Sequence, residues 1–533
     1  MLWILLGISC LAASIGGYST WILNNLTMPK SFGVNSWHVV VEAEKKNKHD
    51  DYDVIVVGAG MGGLTSAALL SQHGYKVLVA EQQEQIGGFC TSFERNGFTF
   101  NVGVADVSGL GECGGATTYL LNKLDLKRDD LFIKNKRRFL IDGHIFTFSE
   151  KNELIEQLIH SFPREKKKIK KFFINADAAM HELNDAYLRY QGVSLTQEML
   201  IDVLGYKGLI NYSISHPHIV KLSTKTYKQY IDHYFKNESL KNIFNILLVY
   251  LGTQPESTPA IHGLGACISY LMYGGYFPKN GASSFAKALQ NVIEKNGGVI
   301  KTECVVNELC VEDNAICGVR CGEKIYKSSI VVANANARTV LLKMLPKDVL
   351  PESYCEQLKA IKMSPSLSVV HLGVDIDFSQ FPSLINDIDN DCHILLNSAA
   401  DAATAPEGKG SLSIYAYAYS DKIPSPGTAK YAEYKKECLE NALKKAEKII
   451  PSIREKILEV DIETPHSFER YTGMPNGSIY SFDNSIGSMR PYFRTPVKGL
   501  YLASASTLYG GGVEAVIMSG IACYHDIVGW HST

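Results

Sequence analysis

The chain has 533 residues, 46% of them hydrophobic and 20% charged, with a net charge of −2. That length holds two or three packed units, and the near-neutral balance excludes the whole-chain basic field of a nucleic-acid binder. Twelve cysteines run from Cys10 to Cys523 without paired zinc-finger spacing, so no metal site is expected and the thiols read as reduced and mostly buried.

Leu2 to Leu23 carries no charge. As a helix this run rises about 33 Å, enough to cross a hydrocarbon core, with Trp3 and Trp21 near its ends, where interfacial indoles are favoured. No basic residue precedes it, as a cleaved secretory signal would want, whereas Lys30, Lys45, Lys46 and Lys48 follow it. The expectation is an N-terminal transmembrane helix at residues 1–25 that anchors the chain, with the catalytic part in the cytoplasm. A cleaved signal and a peripheral helix are the alternatives. Residues 26–50 read as a solvated linker.

Val54 to Val57 is a short β-branched run, as expected of a buried parallel strand. Gly58-x-Gly60-x-x-Gly63 follows at once, then a helical pattern closed by Gly74, then a second strand from Lys76 to Ala80 that ends at Glu81. Gly58 permits the tight turn, Gly60 lets the backbone approach a pyrophosphate, and Gly63 lets helix and strand pack closely. The helix N-terminus then offers free N–H groups and partial positive charge to phosphates. Glu81 is placed to accept hydrogen bonds from ribose hydroxyls. Strand, glycines, helix, strand and acid fall in order, which makes a dinucleotide-binding fold the reading and a ligand-free glycine turn the bland alternative.

Further along come Ile86-Gly87-Gly88-Phe89 and Gly97 to Gly103, then Tyr273-Gly274-Gly275-Tyr276-Phe277-Pro278, then Gly297 to Lys301 with Val306 beyond, and Ile316 to Val319 and Val331 to Ala335. Near the C-terminus, Thr495 to Ala503 reads as a turn into a buried strand, followed by Ser504 to Thr507 and by Tyr509 to Gly520. Together these blocks resemble the flavoprotein family of phytoene desaturases, carotenoid isomerases, retinol saturases and flavin amine oxidases. The resemblance covers about residues 51–528 in discontinuous pieces.

It implies an α/β fold: a Rossmann-like FAD-binding domain of the glutathione reductase type with an inserted α+β substrate domain. The cofactor implied is FAD, with Gly87 and Gly88 beneath the flavin and Val306 at the adenine. Ala505 stands at a position that is acidic in amine oxidases, and the backbone N–H groups of Gly512, Val513 and Glu514 face the pyrimidine edge. The expected FAD-binding pieces are 51–150, 266–345 and 476–533, and the substrate-binding pieces are 151–265 and 346–475. Asn101, Ala105, Asn280 and Ser504 depart from residues common in relatives, and these departures bear on the reaction more than on FAD binding.

Arg470 to Tyr480 and the late Gly510-Gly511-Gly512 resemble the phytoene desaturase and retinol saturase side. The expected activity is therefore desaturation, saturation or isomerisation of an apolar polyene or isoprenoid-like lipid. A hydride would pass between carbon and flavin, and a membrane-dissolved substrate would give the anchor a purpose. A flavin amine oxidase and a non-catalytic flavin-binding membrane protein are the rival readings. No catalytic residue is assigned. His371, inside an apolar strand, reads as a core residue, His466 near Arg470 is the better functional candidate, and His216 and His218 lack a metal-ligand context. The basic run Arg164 to Lys171 reads as a solvated helix face, with contact to anionic lipid as the sharper alternative.

Overall fold

The computed structural model of the chain describes residues 30–32, 50–189, 191–193 and 210–529. The expected membrane anchor and nearly all of the linker lie outside the described residues. Among the described residues no helix is long and apolar enough to cross a membrane.

A five-stranded parallel sheet carries the first motif. Its strand order is Val299–Lys301, Val77–Ala80, Val54–Val57, Val331–Ala333 and Leu500–Leu502. The three central strands and Leu500–Leu502 are buried along their length, as apolar runs without alternation require. Successive side chains nevertheless enter different cores, because strand side chains alternate. Val54, Val56, Val77 and Val79 join a core with the helices Met61–Gln72, Ser283–Lys295 and Val513–Val528. Ile55, Val57 and Leu78 join a second core with the antiparallel strands Val306–Glu312, Ala315–Cys321 and Lys324–Lys327. Cutting Ile55 back to alanine would leave a cavity costing about 2–5 kcal/mol.

A seven-stranded sheet forms the second layer, in the order Ile457–Glu463, Ser366–Val374, Gly410–Ala418, Cys392–Leu396, Leu384–Asp387, Arg137–Ile141 and His144–Phe148. Only the pairing of Leu384–Asp387 with Arg137–Ile141 is parallel. The helix Ala429–Ala446 covers one face. Residues 137–148 fall within the piece that the sequence reading gives to cofactor binding, yet they hydrogen-bond into this second sheet. Their alternating pattern suits any sheet with unlike faces and gave no sign of which sheet they join.

The described residues between 151 and 273 are largely helical, as the apolar spacing predicts. Phe172, Phe173, Ala176, Met180 and Leu183 form the buried stripe of Lys166–Arg189. Phe172 has ring centroids of Phe244, Tyr234 and Phe235 within 5.3 Å. The eleven described cysteines are free, but only five are buried and six are partly exposed, because several lie on the half-covered three-stranded sheet.

Candidate functional site

A cavity of about 930 Å³ runs from the glycine turn after Val57 to the tract around Gly512, and continues under one face of the seven-stranded sheet. No side chain fills it.

Gly58 makes the turn out of the strand at φ +95°, a conformation that disfavours any side chain. A Cβ on Gly63 would lie 2.3 Å from the Gly58 carbonyl, which is the close helix–strand approach expected of that glycine. Gly60 has a different reason. Its absent Cβ would lie 2.4 Å from Asn334 Oδ1, so the protein itself occupies that space. The helix Met61–Gln72 begins at Gly60 with no side-chain cap, and Met61 and Gly62 line the cavity. The unpaired N–H groups of a first turn therefore lie at this wall, with the positive end of the helix dipole.

Glu81 ends the second strand and is 8% exposed. Its two carboxylate oxygens accept from the Ala59 N–H at 2.7 Å and the Gln83 N–H at 2.9 Å. Burial raises its pKa, against the lowering effect of those bonds. Each oxygen keeps a lone pair for a hydroxyl donor. Gly87 bridges to Gly60 in parallel register and bonds to the Ala59 carbonyl at 2.8 Å, which lays the Gly87-Gly88 pair along the cavity. Val306 lines the same end, next to Cys304, whose N–H meets the Glu81 carbonyl at 2.8 Å.

From the other end of the chain, Ser504, Ala505, Gly512 and Val513 reach the cavity. The helix Val513–Val528 starts after Gly512 without a side-chain cap, so a second helix N-terminus meets the cavity. A Cβ on Gly512 would meet nothing within 4 Å, and one on Gly88 only the Gly60 Cα at 3.5 Å. These backbones border open space. Arg490, fully buried, donates to the Ala505 carbonyl at 2.7 Å and to the Thr507 carbonyl at 3.3 Å, holding this loop in place.

The structure thus brings Gly58, Gly60, Glu81, Gly87, Gly88, Val306, Ala505, Gly512 and Val513 to one wall. Gly63 and Glu514 stand behind it. Glu514 turns its carboxylate away, to Ser108 Oγ at 2.6 Å and the Ala116 N–H at 2.9 Å, where burial raises its pKa.

Of the rest of the lining, His466 and the Arg470 to Tyr480 block were singled out in the sequence, whereas Asn334 and the strand residues of the second sheet were given no role in the site. Asn334 follows the strand Val331–Ala333, at the carboxyl end of the parallel sheet, where ligands of open α/β sheets bind. That position was the available signal. The far part of the cavity runs along Leu384, Asn386, His393, Leu395 and Tyr415, neighbours on adjacent strands, and is closed by Tyr250, Tyr270 and Tyr480. Burial pushes the phenols of Tyr270, Tyr415 and Tyr480 above their usual range, so they stay neutral.

Two carboxylates on the lining are already engaged. Asp106 pairs with the buried Arg137 guanidinium and accepts from Asn135 Nδ2 at 2.8 Å, while Glu463 faces His371 Nε2 at 3.2 Å. His371 is fully buried behind the cavity and also bonds Ser413, as a core histidine does. His466 lines the cavity beside Tyr431, and its buried Nε2 has no hydrogen-bond partner among the described residues. Among the described residues no group of three potential ligands could hold a metal.

Residues 61–523 match the family described as flavin containing amine oxidoreductase. Among curated proteins, the chain is 23% identical to prolycopene isomerase 1, chloroplastic, of an Oncidium hybrid cultivar, over 91% of this chain and 85% of that one. It is 24% identical to all-trans-retinol 13,14-reductase of Danio rerio, over 88% and 84%. Among solved structures, an oxidoreductase from Methanosarcina mazei superposes with a TM-score of 0.62 at 18% identity, covering 88% of this chain and 99% of that one. This last likeness concerns the fold.

Proposed function

The chain belongs to the flavin containing amine oxidoreductase family and is a flavin-dependent oxidoreductase, and from this premise we propose that its cofactor is FAD and its substrate an apolar polyene or isoprenoid-like lipid. The observation that carries the reading is the continuity of one unfilled cavity from Glu81, past both uncapped helix starts, to the tyrosine-closed chamber under the second sheet. The first part suits an elongated dinucleotide, and the second suits an apolar molecule laid against its ring.

In this reading the amides at Gly60 to Gly62 hold the pyrophosphate and Glu81 accepts the adenosine ribose hydroxyls. Backbone near Val306 borders the adenine. Gly87 and Gly88 pass beneath the ring, and the amides at Gly512 and Val513 stabilise negative charge at its pyrimidine edge. Gly63 acts through packing, and Glu514 holds the start of the last helix from behind. Bound flavin supplies the two-electron acceptor or donor. Leu384, Leu395 and Ile479 exclude water and orient the chain of the substrate. The two relatives' names, an isomerase of a carotene and a reductase of retinol, favour this substrate class. Residues 51–136, 266–345 and 476–533 form the cofactor unit in this proposal, and the inserts, with 137–150, form the substrate unit. The uncharged run Leu2 to Leu23 anchors the chain in the membrane that supplies the substrate.

An amine oxidase is the second reading, favoured by the family's description. It fits less well, because Asp106 and Glu463, the acids best placed to hold an ammonium, are paired with Arg137 and His371.

The test is the absorbance spectrum of the purified full chain, release and identification of its cofactor, and identification of co-purified lipid. Anaerobic incubation of the oxidised and of the dithionite-reduced protein with detergent-dispersed polyenes should change the polyene in at least one state, with flavin reduction for desaturation, flavin reoxidation for saturation and no net flavin change for isomerisation. A colourless protein, or released FMN, would reject the cofactor assignment. Amine-dependent peroxide release without any change in polyenes would favour the second reading.

A further inference from the structure

The lysine run at the start of the helix Lys166–Arg189 takes no part in the flavin cavity. A second cavity, of about 170 Å³, lies where this helix meets the helices Pro217–Ser223 and Tyr227–Tyr234. Lys221, Lys225 and His233 stand on its rim, and Lys171 precedes its Asn175 by one helical turn. Burial, and then the charges of Lys221, Lys225 and Lys171, lower the pKa of the His233 imidazole, so the four groups share one positive field.

The carboxylates on these three helices are each paired, Glu182 with His218 at the cavity wall itself. Asp177 is held by Lys151, Glu182 by His218 Nδ1 at 2.6 Å and by two backbone N–H groups, Asp185 by His216, and Asp232 by Lys241 at 2.6 Å. In the cavity wall, Tyr230 is 6% exposed, and its buried hydroxyl has no hydrogen-bond partner among the described residues. Next to Asn175, Ile174 is 68% exposed. It continues the helical stripe of Lys167, Lys170 and Lys171, all exposed.

We propose that this cavity binds the phosphate of an anionic membrane lipid, with Lys171 and Lys221 supplying charge, while Ile174 enters the acyl boundary beside it. A free phosphate would need the pocket alone. The exposed isoleucine and the lysine stripe leading to it favour a surface. Such a contact would set the helical layer against the bilayer.

The test uses the detergent-purified full chain and reads binding, not turnover, so its failure leaves the oxidoreductase reading standing. Calorimetric titrations compare dihexanoyl phosphatidic acid, dihexanoyl phosphatidylcholine and inorganic phosphate. The expected result is binding of the phosphatidic acid, weakened by about tenfold or more in K171E/K221E and kept in K171R/K221R. Flavin absorbance reports that each variant is folded. The proposal is overturned if phosphatidic acid does not bind, or if K171E/K221E binds it as wild type does. It is equally overturned if inorganic phosphate or phosphatidylcholine binds as tightly.

Discussion

The side-chain amide of Asn334 donates a hydrogen bond to the carbonyl of Ala503, at the ends of two neighbouring parallel strands. The glycine turn rests on this pair. A Cβ on Gly60 would meet Asn334 Oδ1 at 2.4 Å, and one on Gly62 would meet the Ala503 oxygen at 2.2 Å. Three pieces of chain far apart in sequence are thereby set at contact distance around the start of one helix.

Gly60→Ala should therefore displace Asn334 and lower the flavin content of the purified protein. Asn334→Ala alone should lower it less. The double variant should lose less than the sum of the two, because removing the amide makes room for the methyl group, with a coupling of about 0.5–3 kcal/mol. Flavin-to-protein ratios across the four proteins measure this, and strict additivity would show that the two sites are not coupled.

Glu514 makes a pH prediction. Burial raises its carboxyl pKa in the fold. The folded state then binds its proton more readily than the unfolded state. Its contribution to stability is fully present below about pH 4.3 and is lost as pH rises through the elevated folded pKa. Glu514→Gln keeps an acceptor for the Ala116 N–H and can donate to Ser108, so it should be at least as stable as wild type at neutral pH. Its melting temperature should also vary less with pH across that window. A variant much less stable than wild type at neutral pH would show that the charged form is favoured there.

The Arg137–Asp106 pair is buried, with both side chains no more than 2% exposed. Arg137→Met or Asp106→Asn alone leaves one group without its partner and should cost roughly 3–5 kcal/mol. The combined D106L/R137M should recover much of that loss, because two apolar groups need no pairing. Urea denaturation of the three variants and wild type tests the ordering.

Leu395 is fully buried on the strand Cys392–Leu396, opposite Leu384, which lines the same chamber. Leu395→Trp should narrow the chamber without touching the cofactor end. Flavin content should stay at the wild-type level, and kcat/KM for a polyene substrate should fall by about tenfold or more, the range of a 1–3 kcal/mol misfit. Loss of flavin in this variant would place the chamber's wall within the cofactor site.

Local rules were sufficient for the elements. The β-branched run at Val54, the turn at Gly58 and the spacing to Glu81 specify strand, helix and strand because each is set by neighbours within a few residues. The apolar spacing from Phe172 to Leu183 likewise predicts which face of a helix is buried. The lysine run and Ile174 are equally legible, but their convergence with Lys221 and Tyr230 is not, since it depends on how three helices pack.

By itself the sequence determined the strand, glycine turn and helix after Val54 and the buried face of the helix from Phe172 to Leu183, because backbone sterics and hydrophobic period act over short spans. Tertiary structure alone decided that residues 137–148 join the second sheet, that Asn334 underlies Gly60, that Glu514 faces away from the cavity, and that Asp106 and Glu463 are already paired. Strand partners, side-chain direction and charge pairing are chosen among many near-equal local options, and only packing of the whole chain makes one of them lowest in free energy.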